Sequence, residues 1–159
     1  MERFRKELVE ELASKGNRNA IFEMERFYIY NMDIEDVPNE KLKLVVRYLL
    51  ELAENNDKDA MVSLGSMYYE GKGGVQQNYK EAVKWYEKAS IAYRLGKCYL
   101  HGEGVEQNFS LALEKLQSAE MIFFELIDEG DPFAVTTLEK VKKEIDTGRN
   151  RLYELHGIE

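Results

Sequence analysis

The sequence predicts an all-α protein, a solenoid of antiparallel helix pairs with about eight helices. Three observations favour this fold class. The segments Leu64–Ser90 and Leu95–Ala119 repeat one pattern of glycines and apolar residues, and a period near 30 residues is typical of stacked helical units. Only two prolines interrupt the 159 residues, which are rich in the helix formers Glu, Lys, Leu and Ala. Apolar residues such as Ala60 and Tyr68 recur at helical spacing.

The first four helices follow from capping signals and apolar periodicity. We predict them over Glu2–Ser14, Asn17–Asn31, Asn39–Glu54 and Asp57–Glu70. Gly16 suits the left-handed end of the first helix, and the side chains of Asn17 and Asp57 stand where they can cap the helices that follow. The pattern "LASKGNRNA" returns as "LAENNDKDA" after 40 residues, so these helices belong to one repeating arrangement.

The last four helices follow from the same signals. We predict them over Tyr79–Ala89, Ile91–His101, Phe109–Asp128 and Pro132–Leu155. Asn78, Asn108 and Asp131 are the expected N-caps. A proline directly after Asp131 favours a helix start, because the first helical residue needs no backbone N–H. Gly130 is expected in the left-handed conformation, as in the earlier "LASKG" turn.

Two glycines stand inside predicted helices. Gly65 and Gly96 each lie at the edge of an apolar stripe, although glycine costs about 1 kcal/mol relative to alanine in a helix. Close approach of a neighbouring helix explains such a residue. We therefore predict that Gly65→Leu overpacks the interface and costs about 1–3 kcal/mol.

The central repeats resemble a known family. The pattern A-x-x-x-L-G-x-x-Y-x-x-G-x-G-V-x-x-N-x-x-x-A-x-x-W/L-Y/Q-x-K/S-A resembles the SEL-one-like repeat, a relative of the tetratricopeptide repeat with a longer glycine turn. It covers Asp59–Ser90 and Ile91–Ala119 well, and Ala20–Ala53 and the final helix weakly. The resemblance implies a right-handed solenoid in a single domain over residues 1–159. Its parts would be a degenerate repeat region (1–56), a repeat (57–90), a repeat with a lengthened second helix (91–130) and a C-terminal capping helix (131–159).

The chain departs from the family pattern at three places. Glu25 occupies the glycine position of the first unit, and "YNMDIEDVPNE" replaces its glycine turn. The polar turn between Ala89 and Leu95 is cut short. The stretch from Ala112 to Gly130 carries about seven residues more than a repeat needs, which is close to two helical turns. We therefore expect an irregular C-terminal half.

Composition excludes several functional classes. A net charge of −8 disfavours binding to the phosphate backbone of nucleic acids. Cys98 is the only cysteine, so no internal disulfide can form. The N-terminal residues lack the apolar segment of a signal peptide, and no apolar run is long enough to span a membrane. The expected location is the cytoplasm, as for a bacterial cytosolic protein.

The sequence contains no recognisable catalytic, cofactor or metal site. Cys98 and His101 stand three residues apart near Glu103, but one thiol and one imidazole are too few for a closed zinc site. A nucleophilic role for Cys98 lacks an oxyanion hole. No serine has lysine three residues later, and the turn Gly71–Gly74 lacks the ending and the preceding strand of a phosphate loop. We predict that the protein is not an enzyme.

The resemblance also implies where a partner would bind. In the family, the first helix of each pair lines the concave face, and Glu23, Ile29 and Ser63 fall on that face here. The alternative is that several of these side chains pack against neighbouring helices. The predicted partner-binding residues are Phe22, Arg26, Tyr30, Val62, Ser66, Met67, Tyr69, Tyr93, Arg94, Lys97 and Leu100.

The predicted function is a non-enzymatic module that binds a protein or peptide, including a basic one that the acidic surface would attract. It could act as an adaptor or as a small acidic inhibitor, as an immunity protein neutralises a toxin or basic nuclease. The rival functions are a hydrolase and a homo-oligomeric structural protein. The oligomer would form through the apolar stripe Phe133, Val135, Leu138, Val141 and Ile145. The protein is expected to be a monomer or a weak homodimer.

Overall fold

The computed structural model describes residues 2–30 and 37–157, with side chains from residue 4 onward. These residues form eight helices, so the predicted all-α fold is confirmed. The predicted second helix ended at Asn31, which lies outside the described residues; in the structure the helix ends at Tyr28. The eight helices are α1 Glu2–Ser14, α2 Arg18–Tyr28, α3 Asn39–Glu54, α4 Lys58–Glu70, α5 Tyr79–Ala89, α6 Ala92–His101, α7 Phe109–Asp128 and α8 Ala134–His156.

Three predicted N-caps are confirmed by their hydrogen bonds. The Oδ1 atoms of Asn17 and Asp57 accept the backbone N–H groups of Ala20 and Ala60, each at 3.0 Å. Asn108 Oδ1 accepts the N–H of residue 111 at 2.9 Å. These bonds satisfy N–H groups that have no partner inside the helix, and they place the starts of α2 and α4 at equivalent positions of the repeat.

The start of α8 was predicted two residues too early. Asp131 Oδ1 accepts the N–H groups of Phe133 at 2.7 Å and Ala134 at 3.0 Å. This pair of bonds holds Pro132 and Phe133 in a turn, and the helix begins at Ala134. Gly130 before it adopts φ +87° and Gly16 adopts φ +77°, which confirms the two predicted left-handed positions.

The chain divides into two compact units, Met1–Asn78 and Tyr79–Glu159. Unit 1 contains α1 to α4, and its buried side chains include Ile21, Met24 and Leu49. Unit 2 contains α5 to α8. Its core cluster consists of Leu100, Ala112, Leu116, Ala119, Val141 and Ile145. That the eight helices form a single domain stays a prediction.

The close approach predicted at the helical glycines is present at Gly96. A Cβ atom there would lie 2.7 Å from Leu116 Cγ and 3.2 Å from Leu116 N, so α6 and α7 meet with no room for a side chain. Gly65 is buried in α4, and the cost of leucine at that position stays a prediction. At the equivalent position of the first unit, α2 buries the side chain of Glu25.

The apolar stripe of α8 is divided between core and surface. Leu138, Val141 and Ile145 are buried in unit 2, whereas Phe133 is 77% exposed and Val135 51% exposed. The buried part of the stripe therefore covers the core of its own unit. Across the described residues, no helix combines the length and the apolar character needed to cross a membrane.

Candidate binding site

An open groove of about 510 Å³ lies on unit 1 between α2 and α4. Both helices begin at capped positions 40 residues apart in the repeat; α4 contributes side chains from its first two turns, and α2 contributes them from its first turn to its last. We call this the α2–α4 groove. It is lined by Arg18, Asn19, Phe22, Glu23, Arg26, Asp59, Val62 and Ser63.

One end of the groove carries an arginine that joins the starts of α2 and α4. Arg18 Nε lies 2.5 Å from Asp57 Oδ2, and its guanidinium also donates to the carboxylate of Asp59. The hydrogen bond from Arg18 holds the pKa of Asp57 below its usual value. The guanidinium carbon of Arg18 stands 4.7 Å from the ring centre of Phe22, within the range of a cation–π contact. Arg18 is thus held over the aromatic floor of the groove.

The other end carries a second set of ion pairs. Glu23 Oε1 accepts hydrogen bonds from Arg26 at 2.7 Å and from Arg5 of α1 at 2.8 Å. The hydrogen bond from Arg26, with further contributions from Arg5, lowers the pKa of Glu23 despite its partial burial. The groove therefore has a half-buried apolar floor, Phe22 and Val62, between two ends that each carry both charges.

A buried carboxylate lies beside this floor. Glu25 is 6% exposed, and its Oε2 accepts a hydrogen bond from Ser63 Oγ at 3.0 Å. Burial raises the pKa of Glu25, and the Ser63 hydrogen bond offsets that rise only in part. Ser63 lines the α2–α4 groove, so its hydroxyl links the groove to the residue that replaces the repeat glycine.

The predicted residues of unit 1 that keep contact with solvent fall into two groups. Phe22, Arg26 and Val62 line the α2–α4 groove. Tyr30 is 37% exposed, with Lys72 Nζ 5.2 Å from its ring centre, and Tyr69 is half-buried; neither lines the groove.

Three predicted binding residues are buried, and their assignment to a surface was wrong. Ser66 is 9% exposed, Met67 is fully buried and Leu100 is 2% exposed. Met67 packs beneath the glycine turn, where its Cε atom occupies the space that a Cβ atom at Gly73 would need. Leu100 belongs to the core cluster of unit 2. A periodic sequence pattern could not separate Met67 and Leu100 from the surface, because the glycine turn covers Met67 and α8 covers Leu100 only in the folded chain.

The predicted residues of α6 are already engaged within unit 2. The ring of Tyr93 meets that of Phe123 edge to face, with centroids 6.3 Å apart and planes at 88°. Arg94 lies 6.0 Å over the ring of Tyr86, and Lys97 Nζ lies 3.9 Å from a Glu144 oxygen. All three α6 side chains are half-buried.

Three groove residues were missed in the sequence: Arg18, Asn19 and Asp59. The pattern that repeats after 40 residues contained a signal for them. It aligns Asn17 with Asp57, so the residues directly after each cap must lie near each other once the two helices pack side by side.

Cys98 is a packing residue of α6. It is fully buried, and burial, with a further contribution from Glu103, raises the pKa of its thiol to about 11. The thiol is therefore protonated at neutral pH and is a poor nucleophile. His101 Nε2 lies 3.4 Å from Glu144 Oε2, and no group of three or more potential metal ligands gathers within the described part of the chain.

The paired helices, glycine turns and interhelical groove define a helical-repeat protein of the α-solenoid class. The Sel1 repeat profile matches residues 58–91 and 92–119. The crystal structure of a Sel1 repeat protein from Oxalobacter formigenes is similar over 70% of this chain and 86% of that one, with 31% identity and a TM-score of 0.57. The chain therefore belongs to the Sel1 repeat family.

A second solved structure supports the fold alone. It is c5321, a protective antigen of uropathogenic Escherichia coli strains with an SLR fold, similar over 91% of this chain at 20% identity and a TM-score of 0.62. This chain spans 31% of the length of that protein. No curated protein matches the sequence significantly. Sel1 repeat proteins are protein-interaction scaffolds and are generally non-enzymatic.

Proposed function

We propose that this protein is a non-enzymatic binding module that holds a peptide segment of a partner protein in the α2–α4 groove. The observation that carries the proposal is the open groove with an apolar floor, Phe22 and Val62, between charged ends. Solenoids bind along the surface formed by equivalent helices and need no reaction pocket. Localisation in the cytoplasm is part of the same proposal.

The ion pairs at the ends of the groove support this function by fixing its shape before binding. Arg18 is held by Asp57 and Asp59, and Arg26 is held by Glu23. Side chains that are already ordered lose less entropy when a partner arrives. An apolar side chain of the partner would pack on Phe22, while the groove offers Asn19 and Ser63 as hydrogen-bonding groups.

The charge of the groove favours a partner segment that carries a basic residue. The side chain of Asp59 is 74% exposed although it contacts Arg18, so it can accept a lysine or arginine of the partner. The net charge of −8 would speed the approach of such a segment. The same net charge underlies the alternative function, a small acidic inhibitor of a toxin or basic nuclease, and that function stays a prediction.

A matched pair of double variants tests the proposal. Phe22→Ala with Arg26→Ala removes an aromatic and an arginine from the α2–α4 groove. Tyr93→Ala with Arg94→Ala removes the same two side-chain types from α6. Proteins retained from a lysate of the native host would be identified by quantitative mass spectrometry, and the affinity of the leading partner would be measured by calorimetry.

We expect the groove variant to lose at least tenfold in affinity and the α6 variant to stay close to wild type. Circular dichroism must show both variants folded and helical. Equal binding by wild type and by a folded groove variant would move the site elsewhere. If wild type retains no protein at all, the proposal of a binding module itself is overturned.

A further inference from the structure

The helix α7 continues beyond the part of the chain that the repeat family explains. It has 20 residues, whereas α5, the corresponding second helix of the preceding repeat, has 11. The family match ends at residue 119, and α7 runs on to Asp128. We call residues 120–128 the α7 extension.

The α7 extension exposes three large apolar side chains. Met121 is 67% exposed, and Ile122 and Phe124 are each 48% exposed. Met121 and Phe124 stand three residues apart and are therefore neighbours on the helix surface. Phe123 points the other way, packing on the core cluster and on Tyr93. One residue of the segment thus anchors the extension while its neighbours form an outward apolar face.

Acidic residues without counter-ions surround this face. Residues 116–139 contain six acidic side chains and no lysine or arginine. Within the described chain no ion pair reaches any of the six, and four of them lie on the α7 extension or directly after it. These four are Glu120, Glu125, Asp128 and Glu129.

The position of these acids is also unfavourable for the helix itself. Asp128 and Glu129 stand at the C-terminal end of α7, where the helix dipole is negative. Lys142 of α8 lies with its Nζ 5.1 Å from the ring centre of Phe124, and within the described chain no ion pair joins it to these acids. A positively charged partner would therefore relieve repulsion that the fold leaves in place.

We propose that the α7 extension is a second docking surface, separate from the α2–α4 groove, for a basic amphipathic helix of another protein. The apolar stripe of that helix packs on Met121, Ile122 and Phe124. Its lysine or arginine side chains flank the stripe and pair with the four unpaired acids. An amphipathic helix uses residues at i, i+3, i+4 and i+7 in this mode of recognition.

Among the described helices, α1 and α8 carry basic residues that a second copy could offer, and neither fits this surface well. Beside the exposed stripe of α1, Phe4, Leu8 and Leu12, Arg5 and Lys15 already pair with Glu23 and Glu11, and Lys6 lies over the ring of Tyr28. The basic residues of α8 between 140 and 151 are exposed, but the apolar residues among them are buried. A foreign basic helix therefore fits the charge and the apolar face better than self-association does.

The probe is a synthetic 18-residue helix of leucine and lysine, with leucines on one stripe, titrated into isotopically labelled protein. NMR shifts locate the contact, and the dissociation constant is measured at several salt concentrations. We expect the largest shifts within residues 117–129. The variant Met121→Ser, Ile122→Ser, Phe124→Ser should bind at least tenfold more weakly. Neutralising the four acids should weaken binding and flatten its salt dependence.

Two controls separate this surface from general attraction to an acidic protein. One neutralises four exposed acids elsewhere, namely Glu40→Gln, Glu54→Gln, Glu87→Gln and Glu106→Gln. The other control replaces the exposed apolar stripe of α1 and carries Phe4→Ser, Leu8→Ser and Leu12→Ser. Both should bind the peptide within about twofold of wild type, and circular dichroism checks that every variant is folded.

Several outcomes overturn the proposal. They are no binding, equal weakening by the control variants, or shifts centred outside the α7 extension. A loss of binding in Phe22→Ala with Arg26→Ala would assign the peptide to the α2–α4 groove instead. Sedimentation that shows a dimer lost in Met121→Ser would make a second copy of the chain the occupant.

Discussion

The faces of α2 and α6 were predicted from the same repeat pattern, yet the structure treats them differently. On α2, Phe22 and Arg26 line an open groove. On α6, Tyr93 packs against Phe123 of α7, and Lys97 lies near Glu144 of α8. The repeat position of a side chain therefore does not decide whether it is free to bind.

The elements that follow each helix account for the difference. Unit 2 has the lengthened α7 and the long α8, which supply Phe123 and Glu144 to the surroundings of α6. The two units also differ at the glycine position of the repeat. In α6 this position is Gly96, which packs directly against Leu116, whereas in α2 it is Glu25, whose side chain is buried. Helix packing is tight at one position and looser at the other.

The largest expected effect is on the tight contact of α6 with α7. Gly96→Ala should lower the free energy of unfolding by about 1–3 kcal/mol, since the new Cβ overlaps Leu116. Gly148→Ala is the control, because its Cβ would meet the flexible side-chain ends of Leu113 and Leu100 at 3.1 and 3.3 Å. Urea unfolding measures both. Equal stability of Gly96→Ala and wild type would show that α6 and α7 can move apart freely.

A smaller loss of stability is expected from a substitution at the start of α4, beside the α2–α4 groove. Asp57→Ala removes an N-cap, which costs about 0.5–2 kcal/mol. Arg18 depresses the pKa of Asp57, so the carboxylate stabilises the fold at pH values above the ordinary value of 3.8. That contribution is lost as the pH falls through the depressed pKa.

Urea unfolding at pH 7 and at successively lower pH values down to 2 measures this effect. The stability gap between wild type and Asp57→Ala should narrow in the acid range. Asn17→Ala is the matched control. Asn17 caps α2 with an uncharged amide, so the stability difference between wild type and Asn17→Ala should not change as carboxylates are protonated. A gap for Asp57→Ala that does not change with pH would refute the role of the carboxylate charge.

A gain in stability is expected from Glu25→Gln. Burial raises the pKa of Glu25, so the folded protein holds the proton of the Glu25 carboxyl more tightly than the unfolded chain does. The stability of the wild type therefore falls as the pH rises from the ordinary pKa of 4.5 through the raised pKa. The amide removes the buried charge and can still accept from Ser63. Thermal melts should show a higher Tm for the variant at pH 7 and convergence with wild type below pH 4.5, the ordinary value. A lower Tm at pH 7 would contradict this.

The smallest effect is expected at the ion pair of α6. Lys97→Ala should change the free energy of unfolding by about 0–1 kcal/mol, since the Nζ–Oε1 distance to Glu144 is 3.9 Å and both side chains retain contact with solvent. Denaturant unfolding at low and high salt measures the change. A loss well above this range would mean that Lys97 is a structural part of unit 2.

The helices were predictable because their signals are local. Asn17, Asp57 and Asn108 accept hydrogen bonds from N–H groups only three residues away, so a short stretch of sequence contains both partners. The start of α8 was misplaced for a local reason as well, because Asp131 bonds to the N–H groups of residues 133 and 134 and holds a turn at Pro132.

The α2–α4 groove was only partly predictable. Phe22, Arg26 and Val62 were predicted to share one face, and the structure brings them to one groove; that they bind a partner stays a prediction. Met67 and Leu100 have the same apolar character as a binding residue, but Gly73 and the core cluster cover them. Residue type and spacing cannot tell a covered apolar side chain from an exposed one.

The sequence by itself determined the family, the helices and most of their caps, because repeat spacing and capping depend on residues close together in the chain. Tertiary structure alone decided that Arg18 bridges Asp57 and Asp59 and that Phe123 fills the space beside Tyr93. Those contacts join residues about 30 to 41 positions apart. Which of two similar helix faces stays open depends on such distant partners.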